Sequence, residues 1–131
     1  IMFDIKDITI KECRAQVACM LNELWHSRLP VIHWSNVVRN THYVCYAIYC
    51  EDAVVGVGIW SSPVAQNRFA NGKEILELRR LAIADAAPKN TATKAISFMQ
   101  KDIPISKGRK STISGNSLAR SRGKHAWIYV E

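Results

Sequence analysis

Ile75-Leu76-Glu77-Leu78-Arg79-Arg80-Leu81-Ala82-Ile83-Ala84 runs into Asp85-Ala86-Ala87-Pro88-Lys89-Asn90 and then Thr91-Ala92-Thr93. The first ten residues read as a strand, with Leu76 and Leu78 on one face and Glu77 and Arg79 on the other. After Arg79-Arg80 the parity flips, because Leu81 and Ile83 fall in phase with Arg79. One extra residue at Arg79-Arg80 restores a single apolar face, so a β-bulge is expected there. A strand buried on both faces is the alternative that needs no bulge. From Thr91 the spacing becomes helical, with Ala92, Ala95, Ile96 and Met99 as the apolar stripe up to Asp102, and Pro104 is expected to stop the helix. A strand that turns into a helix presents unpaired N–H groups and the positive dipole end, where a phosphate binds readily. Lys89 adds a cation, Asn90 or Thr91 can cap, and Ala92 and Thr93 are small enough for close approach. An ordinary capped helix accounts for the same residues without a ligand.

Working outward, His42–Cys50 and Ala53–Trp60 are rich in β-branched and aromatic residues and are separated by Glu51-Asp52, which predicts a hairpin. Ser61-Ser62-Pro63 ends its second strand, and Asn71-Gly72 marks a turn within the polar stretch Gln66–Lys73. Thr9-Ile10-Lys11-Glu12 fits a capping box, and Cys13, Val17, Met20, Leu21 and Leu24 share a helical stripe, so an amphipathic helix is expected over Ile10–Trp25. Pro30 forbids its simple continuation, and residues 30–41 read as a loop with at most a short helical turn. Ser106–Ser111 reads as a basic, polar loop, Ser111–Ile113 as a short strand, and Ala126–Val130 as a last strand after the basic stretch Ala119–Lys124. The expected order is α, β, β, β, α, β, β, in one α/β domain over residues 1–131, with no repeat.

A chain of 131 residues, 48% apolar and 22% charged, suits one globular core. It has no run of about eighteen apolar residues, so no transmembrane helix is expected, and its first residues do not read as a signal peptide. Cys13, Cys19, Cys45 and Cys50 form no C-x-x-C pair and sit in apolar segments, which suggests buried free thiols in a reducing cytoplasm. His26, His33, His42 and His125 lack metal-ligand spacing, and no metal is expected. Neither phosphate-binding nor dinucleotide glycine motifs occur.

The net charge is +7, of which +5 falls in residues 101–131. A basic segment of this kind attracts polyanions. Lys107, Arg109, Lys110, Arg120, Arg122 and Lys124, with Arg28 upstream, are the candidate nucleic-acid contacts; a solvated, solubilising surface is the alternative. His26-Ser27-Arg28 is a second candidate site, since a His and a hydroxyl can serve proton transfer, although neighbours in sequence seldom face each other. Trp25, Trp34, Trp60 and Trp127 are mainly anchors, and one exposed aromatic near Arg28 or Trp34 could stack a flipped base.

Trp25-His26-Ser27-Arg28-Leu29-Pro30, Trp60-Ser61-Ser62-Pro63-Val64-Ala65, Leu76–Ala84 and Ala87–Thr93 together resemble, in order, the acetyltransferase-like DNA-modification proteins of phages and prophages, the Mom family. The resemblance implies a GCN5-related acetyltransferase-like α/β (α+β) fold, a mostly antiparallel twisted sheet flanked by helices. It implies conversion of adenine to N6-carbamoylmethyladenine, which shields phage DNA from restriction nucleases in the host cytoplasm. DNA is then the partner, and acetyl-CoA or another activated two-carbon unit the donor. By position, His26 and Ser27 match the family's H-S pair, Arg80 its L-x-R-L arginine and Asn90 its K-N asparagine. These four are the catalytic candidates, with His26 as proton acceptor and Arg80 and Asn90 as organisers. Ile83, Ala84, Lys89, Asn90, Thr91 and Thr93 are the candidate cofactor contacts.

Two departures stand out. Ala87-Pro88-Lys89-Asn90 replaces the Gly-rich loop with which ordinary acetyltransferases of this fold wrap coenzyme A, as it does in the Mom-like group. The family's usual Asp and Tyr are missing from the C-terminal segment, which here reads Ser114-Gly115-Asn116-Ser117 and then Ser121-Arg122-Gly123-Lys124-His125-Ala126-Trp127. A divergent active member and a member with impaired activity both fit. An acetyl-CoA-dependent N-acetyltransferase of a protein or small amine, and a non-catalytic nucleic-acid-binding module, are the alternative functions.

Overall fold

The computed structural model describes residues 4–25, 33–39, 42–61, 75–112, 118–120 and 127–129. After a 3-10 turn at Ile5–Asp7, strand β1 (Ile8–Cys13) turns Ile8 and Ile10 inward and Thr9 and Lys11 outward. This corrects the helix expected from Ile10. The β-branched run Ile8-Thr9-Ile10 alternates, and pairing with strand β2 (Tyr43–Cys50) sets Thr9 opposite Tyr49 and Glu12 opposite Tyr46. A full ladder outcompetes a local capping box, because it satisfies more backbone groups and buries both isoleucines. Helix α1 begins only at Ala15 and runs to Trp25. A short helix α2 (Trp34–Arg39) occupies part of the expected loop.

β2 and β3 (Ala53–Ser61) form the expected hairpin, followed by β4 (Ile75–Ile83). Helix α3 spans Thr91–Lys107 and therefore passes through Pro104, where a stop was expected. Proline forfeits one N–H bond. Here that cost is offset by Ile103, which is fully buried, and by a 2.8 Å hydrogen bond from Tyr46 Oη to Asp102. Gly108, in the left-handed region at φ 63°, ends the helix by donating its N–H to Pro104 O. Ser106 and Lys107 thus belong to the helix rather than to a loop. Strands β5 (Lys110–Thr112), β6 (Leu118–Arg120) and β7 (Trp127–Tyr129) complete the sheet; β6 lies in what the sequence suggested was only a basic stretch.

The sheet order is β1-β2-β3-β4-β7-β6, with β5 also on β4. All pairings are antiparallel except β4 with β5. Helix α3 covers one face through Ala92, Ala95, Met99 and Ile103, packed with Tyr46, Trp60, Leu76 and Leu78. Helix α1 covers the other through Ala15, Ala18, Cys19 and Leu21, packed with Cys45, Val57, Ile59 and Ala82. Gly58 is required where β3 meets α3: a Cβ there would lie 2.8 Å from Met99 Sδ. Among the described residues, no helix is long and apolar enough to cross a membrane. The expected turn at Asn71-Gly72 lies outside them.

Candidate active site

The β3–β4 register jumps between Ile59, which faces Arg80, and Trp60, which faces Leu78. Arg79 is the extra residue, so the bulge lies where the parity flip put it. Leu76, Leu78, Leu81 and Ile83 all pack on the α3 side, while Ala82 packs under α1. The two sequence alternatives therefore hold together, since β4 is bulged and also buried on both faces. Arg79 Nη1 donates to Ser61 Oγ at 3.2 Å, and Arg80 Nη1 donates to Arg79 O at 2.8 Å. The Arg80 side chain lies on the α1 face: burial pushes the Cys19 thiol pKa up, and the nearby Arg80 charge opposes that rise.

The outer edge of β4 is shared. Ile75–Glu77 pair with Lys110–Thr112 of β5, and Ala82 pairs with Ile128 of β7. Leu78–Leu81, the bulged stretch, lies between these two partners. A bulge tilts backbone groups out of the ladder, and among the described residues no strand pairs with this interval on its outer edge.

Beyond β4 the chain turns tightly. Ala84 N donates to Val55 O at 2.7 Å and Ala87 N to Ala84 O at 3.0 Å. Thr91 directs both its N–H (3.2 Å) and its Oγ1 (2.6 Å) to Pro88 O. Lys94 N then donates to Asn90 O. Ala92 and Thr93 are thus first-turn residues whose N–H groups have no intrahelical acceptor. Asn90 stands at the N-cap in the left-handed region, at φ 72°, and makes no side-chain cap. A capping side chain normally needs extended backbone, so neither Asn90 nor Thr91 caps as expected. The Asn90 side chain is exposed instead, beside exposed Lys89 and Thr93. Ile83 is buried in the core, so only its backbone can meet a ligand.

The structure gathers Lys89, Asn90 and Thr93 at the start of α3. Arg80 lies back along β4, four residues before Ala84, and the turn from Ala84 to Asn90 separates it from them. Lys107 forms a 2.7 Å ion pair with Glu12, and Arg109 and Lys110 follow it at the opposite end of β4, where Lys110 pairs with Ile75. Arg120 lies on β6. His26, Ser27, Arg28, Arg122 and Lys124 lie outside the described residues. All four cysteines are free, and burial raises the Cys13 thiol to about 11. Among the described residues, no three of His, Cys, Asp or Glu are grouped to hold a metal.

Sequence reasoning did not foresee that Glu77 and Ser61 are buried. They lie opposite each other on β4 and β3 beneath the α1 face. Alternation had marked Glu77 only as the polar side of a strand.

Residues 7–129 match the Mom protein family. No protein of curated function matches the chain by sequence. Among solved structures, AAC(6')-Iy in complex with the bisubstrate analogue CoA-S-monomethyl-acetylneamine is 13% identical with a TM-score of 0.54, over 83% of this chain and 80% of that one. The ribosomal-protein-alanine N-acetyltransferase of Brucella melitensis biovar Abortus 2308 is 12% identical with a TM-score of 0.54, over 82% and 79%. An aminoglycoside acetyltransferase from an uncultured soil metagenomic sample, in complex with sisomicin, is 6% identical with a TM-score of 0.54, over 85% and 79%. At these identities the likeness establishes the fold, that of the GCN5-related acetyltransferases.

Proposed function

The chain belongs to the Mom protein family, and from that premise we propose that it is a DNA-modifying transferase that converts adenine to N6-carbamoylmethyladenine. The observation that carries this reading is the bulged edge of β4, which among the described residues is unpaired between β5 and β7 and leads to the α3 N-terminus. It suits a long donor with an anionic handle at one end and a reactive carbon at the other.

The turn fits an anion of modest size. The left-handed Asn90 makes the reversal that a glycine usually makes, and the Ala92 and Thr93 amides and Lys89 can hold negative charge. The Thr91 amide is already turned back to Pro88, so fewer donors remain than a Gly-rich loop would offer. That favours an activated two-carbon donor whose handle is held by these few groups. For carbamoylmethyl transfer to balance, such a donor would carry the amide nitrogen and supply its methylene as the electrophilic carbon, from which the leaving group departs with its electron pair. Backbone donors at Leu78–Leu81 then hold its carbonyl, and Arg80 keeps the bulge in shape through the Arg79 carbonyl. The target adenine is flipped from its stack and brings its amine to that carbon. His26 and Ser27 are the family-matched groups expected beside the amine. Arg28, Arg109, Lys110, Arg120, Arg122 and Lys124, with Lys107, supply the positive charge that holds DNA.

Mass spectrometry of nucleosides from DNA of cells making the protein tests this reading. N6-carbamoylmethyladenine is expected, and only unmodified adenine beside soluble protein would refute it. An acetyl-CoA-dependent N-acetyltransferase is the second reading, favoured by the same α3 N-terminus. Calorimetric binding of acetyl-CoA in the micromolar range would support it, and no binding at millimolar ligand would argue against it.

A further inference from the structure

Trp60 on β3 and Met99 on α3 are both fully buried. A buried indole N–H needs an acceptor, and here it donates to Met99 Sδ at 3.2 Å. A thioether is a weak acceptor, so the bond depends closely on where the sulfur lies. Gly58 leaves room for that sulfur. It stands two residues before Trp60 on the same face of β3, and a Cβ there would lie 2.8 Å from Met99 Sδ and 3.1 Å from Met99 Cε. The contact sits at the register step. Trp60 faces Leu78 while Ile59 faces Arg80, so Trp60 borders the looped-out Arg79. Its neighbour Ser61, on the opposite face, accepts the bond from Arg79 Nη1. Met99 lies about two turns along α3 from Thr91–Thr93. The Trp60–Met99 bond therefore joins the strand that frames the bulge directly to the helix whose first turn faces the donor's handle.

We propose that Trp60 and Met99 are positioning residues, whose contact sets the distance and angle between the bulge on β4 and the first turn of α3. This rests on the DNA-modification reading given above, in which one donor spans those two places. Both side chains are too deeply buried to touch the donor or the adenine. Their effect is on geometry. Apolar packing of α3 on Leu76 and Leu78 is non-directional, so it resists separation of helix and sheet better than it resists sliding. The N–H···S bond adds a direction, and the notch at Gly58 fixes where along β3 the sulfur can sit. A misplacement of about 1 Å at a reacting centre can cost about 100-fold in rate.

The test compares the full-length parent with Met99→Leu, Gly58→Ala and the two combined. Modified adenine is read by mass spectrometry, folding by thermal melting, and the contact by the indole 15N–1H spectrum, in which Trp60→Phe assigns the Trp60 signal. Met99→Leu keeps the volume and removes the acceptor. Gly58→Ala keeps Met99 but pushes its sulfur aside, and the flexible end of that side chain can give way. Each single variant is expected to be folded at the assay temperature, to shift the Trp60 indole signal and to lower modified adenine roughly tenfold or more. The double variant should lose no more than the weaker single, because both break one contact. Parent-level modification by the folded single variants would overturn the positioning role alone. An unmoved indole signal, or losses that multiply in the double variant, would overturn the shared contact. If the Leu chain does not fold, Gly58→Ala decides by the same readouts. Absence of modified adenine from the parent itself would overturn the DNA reading and the positioning role with it.

Discussion

Ile59 faces Arg80 across the β3–β4 ladder while its neighbour Trp60 faces Leu78, so the register steps over Arg79. Removing Arg79 would therefore leave a regular ladder. Leu78 and Arg80 would become adjacent, and Leu76, Leu78, Leu81 and Ile83 would alternate cleanly on the α3 face. The losses include the 3.2 Å bond to Ser61 and the 2.8 Å bond from Arg80 to the Arg79 carbonyl, each worth about 1 kcal/mol. The deletion chain is expected to fold, melting within a few degrees of the parent. It is also expected to lose DNA modification, because its β4 edge no longer opens. Circular dichroism melts and nucleoside mass spectrometry check the two halves separately.

Asn90 allows the turn to be separated from the side chain. Its φ of 72° suits glycine as well as asparagine. Asn90→Gly is expected to retain stability and Asn90→Ala to lose about 1 kcal/mol by left-handed strain. If the carboxamide meets the donor, both variants lose activity to a similar extent, roughly tenfold or more. Retention of full activity by the glycine variant alone would assign Asn90 to the turn only.

The parts legible from sequence share one property: their signal is local. The parity flip at Arg79-Arg80 encodes the bulge in four leucine and isoleucine positions, and the Glu51-Asp52 break encodes the hairpin. β1 was misread because Thr9-Ile10-Lys11-Glu12 satisfies a local helical rule, while the partner that overrides it, Tyr46–Cys50, lies some forty residues away. Pro104 misled for the same reason, since the groups that hold the last turn of α3 are Tyr46 on β2 and the core around Ile103. The α3 N-terminus was recognisable from its order of residues, but the left-handed state of Asn90 was not. The burial of Glu77 was not legible, because burial on the second face of a strand depends on what covers it.

Stability is expected to fall in alkali. Burial raises the pKa of Cys13, Cys19, Cys45 and Cys50, and the Glu12 charge adds to the effect at Cys13, which reaches about 11 from 9.0. The folded thiols thus keep protons that the unfolded chain releases. Their contribution is complete below pH 9; that of Cys13 is lost as pH rises through about 11. Tyr46, raised by burial and by Asp102, adds to the loss above pH 10. Urea midpoints at pH 8, 9, 10 and 10.5 should decline steadily, and Cys45→Ala should flatten the decline. A constant midpoint would mean that the thiols are not buried in solution.

Lys107 and Lys110 are close in sequence but differ in what their charges already meet. Lys107 Nζ lies 2.7 Å from Glu12 Oε1, whereas Lys110 is exposed at the start of β5. Binding a phosphate through Lys107 would mean breaking that pair or drawing Glu12 toward the polyanion, and either offsets the counterion released. Lys110→Ala is therefore expected to weaken DNA binding at every sequence and to reduce the slope of log K against log salt by about 1. Lys107→Ala should change the slope by much less. Glu12→Gln should strengthen binding, since it frees the Lys107 charge and removes a repelling one. Fluorescence titrations of duplex DNA across a salt series measure all three, and equal slopes for both lysine variants would show that the Glu12 pair opens on contact with DNA.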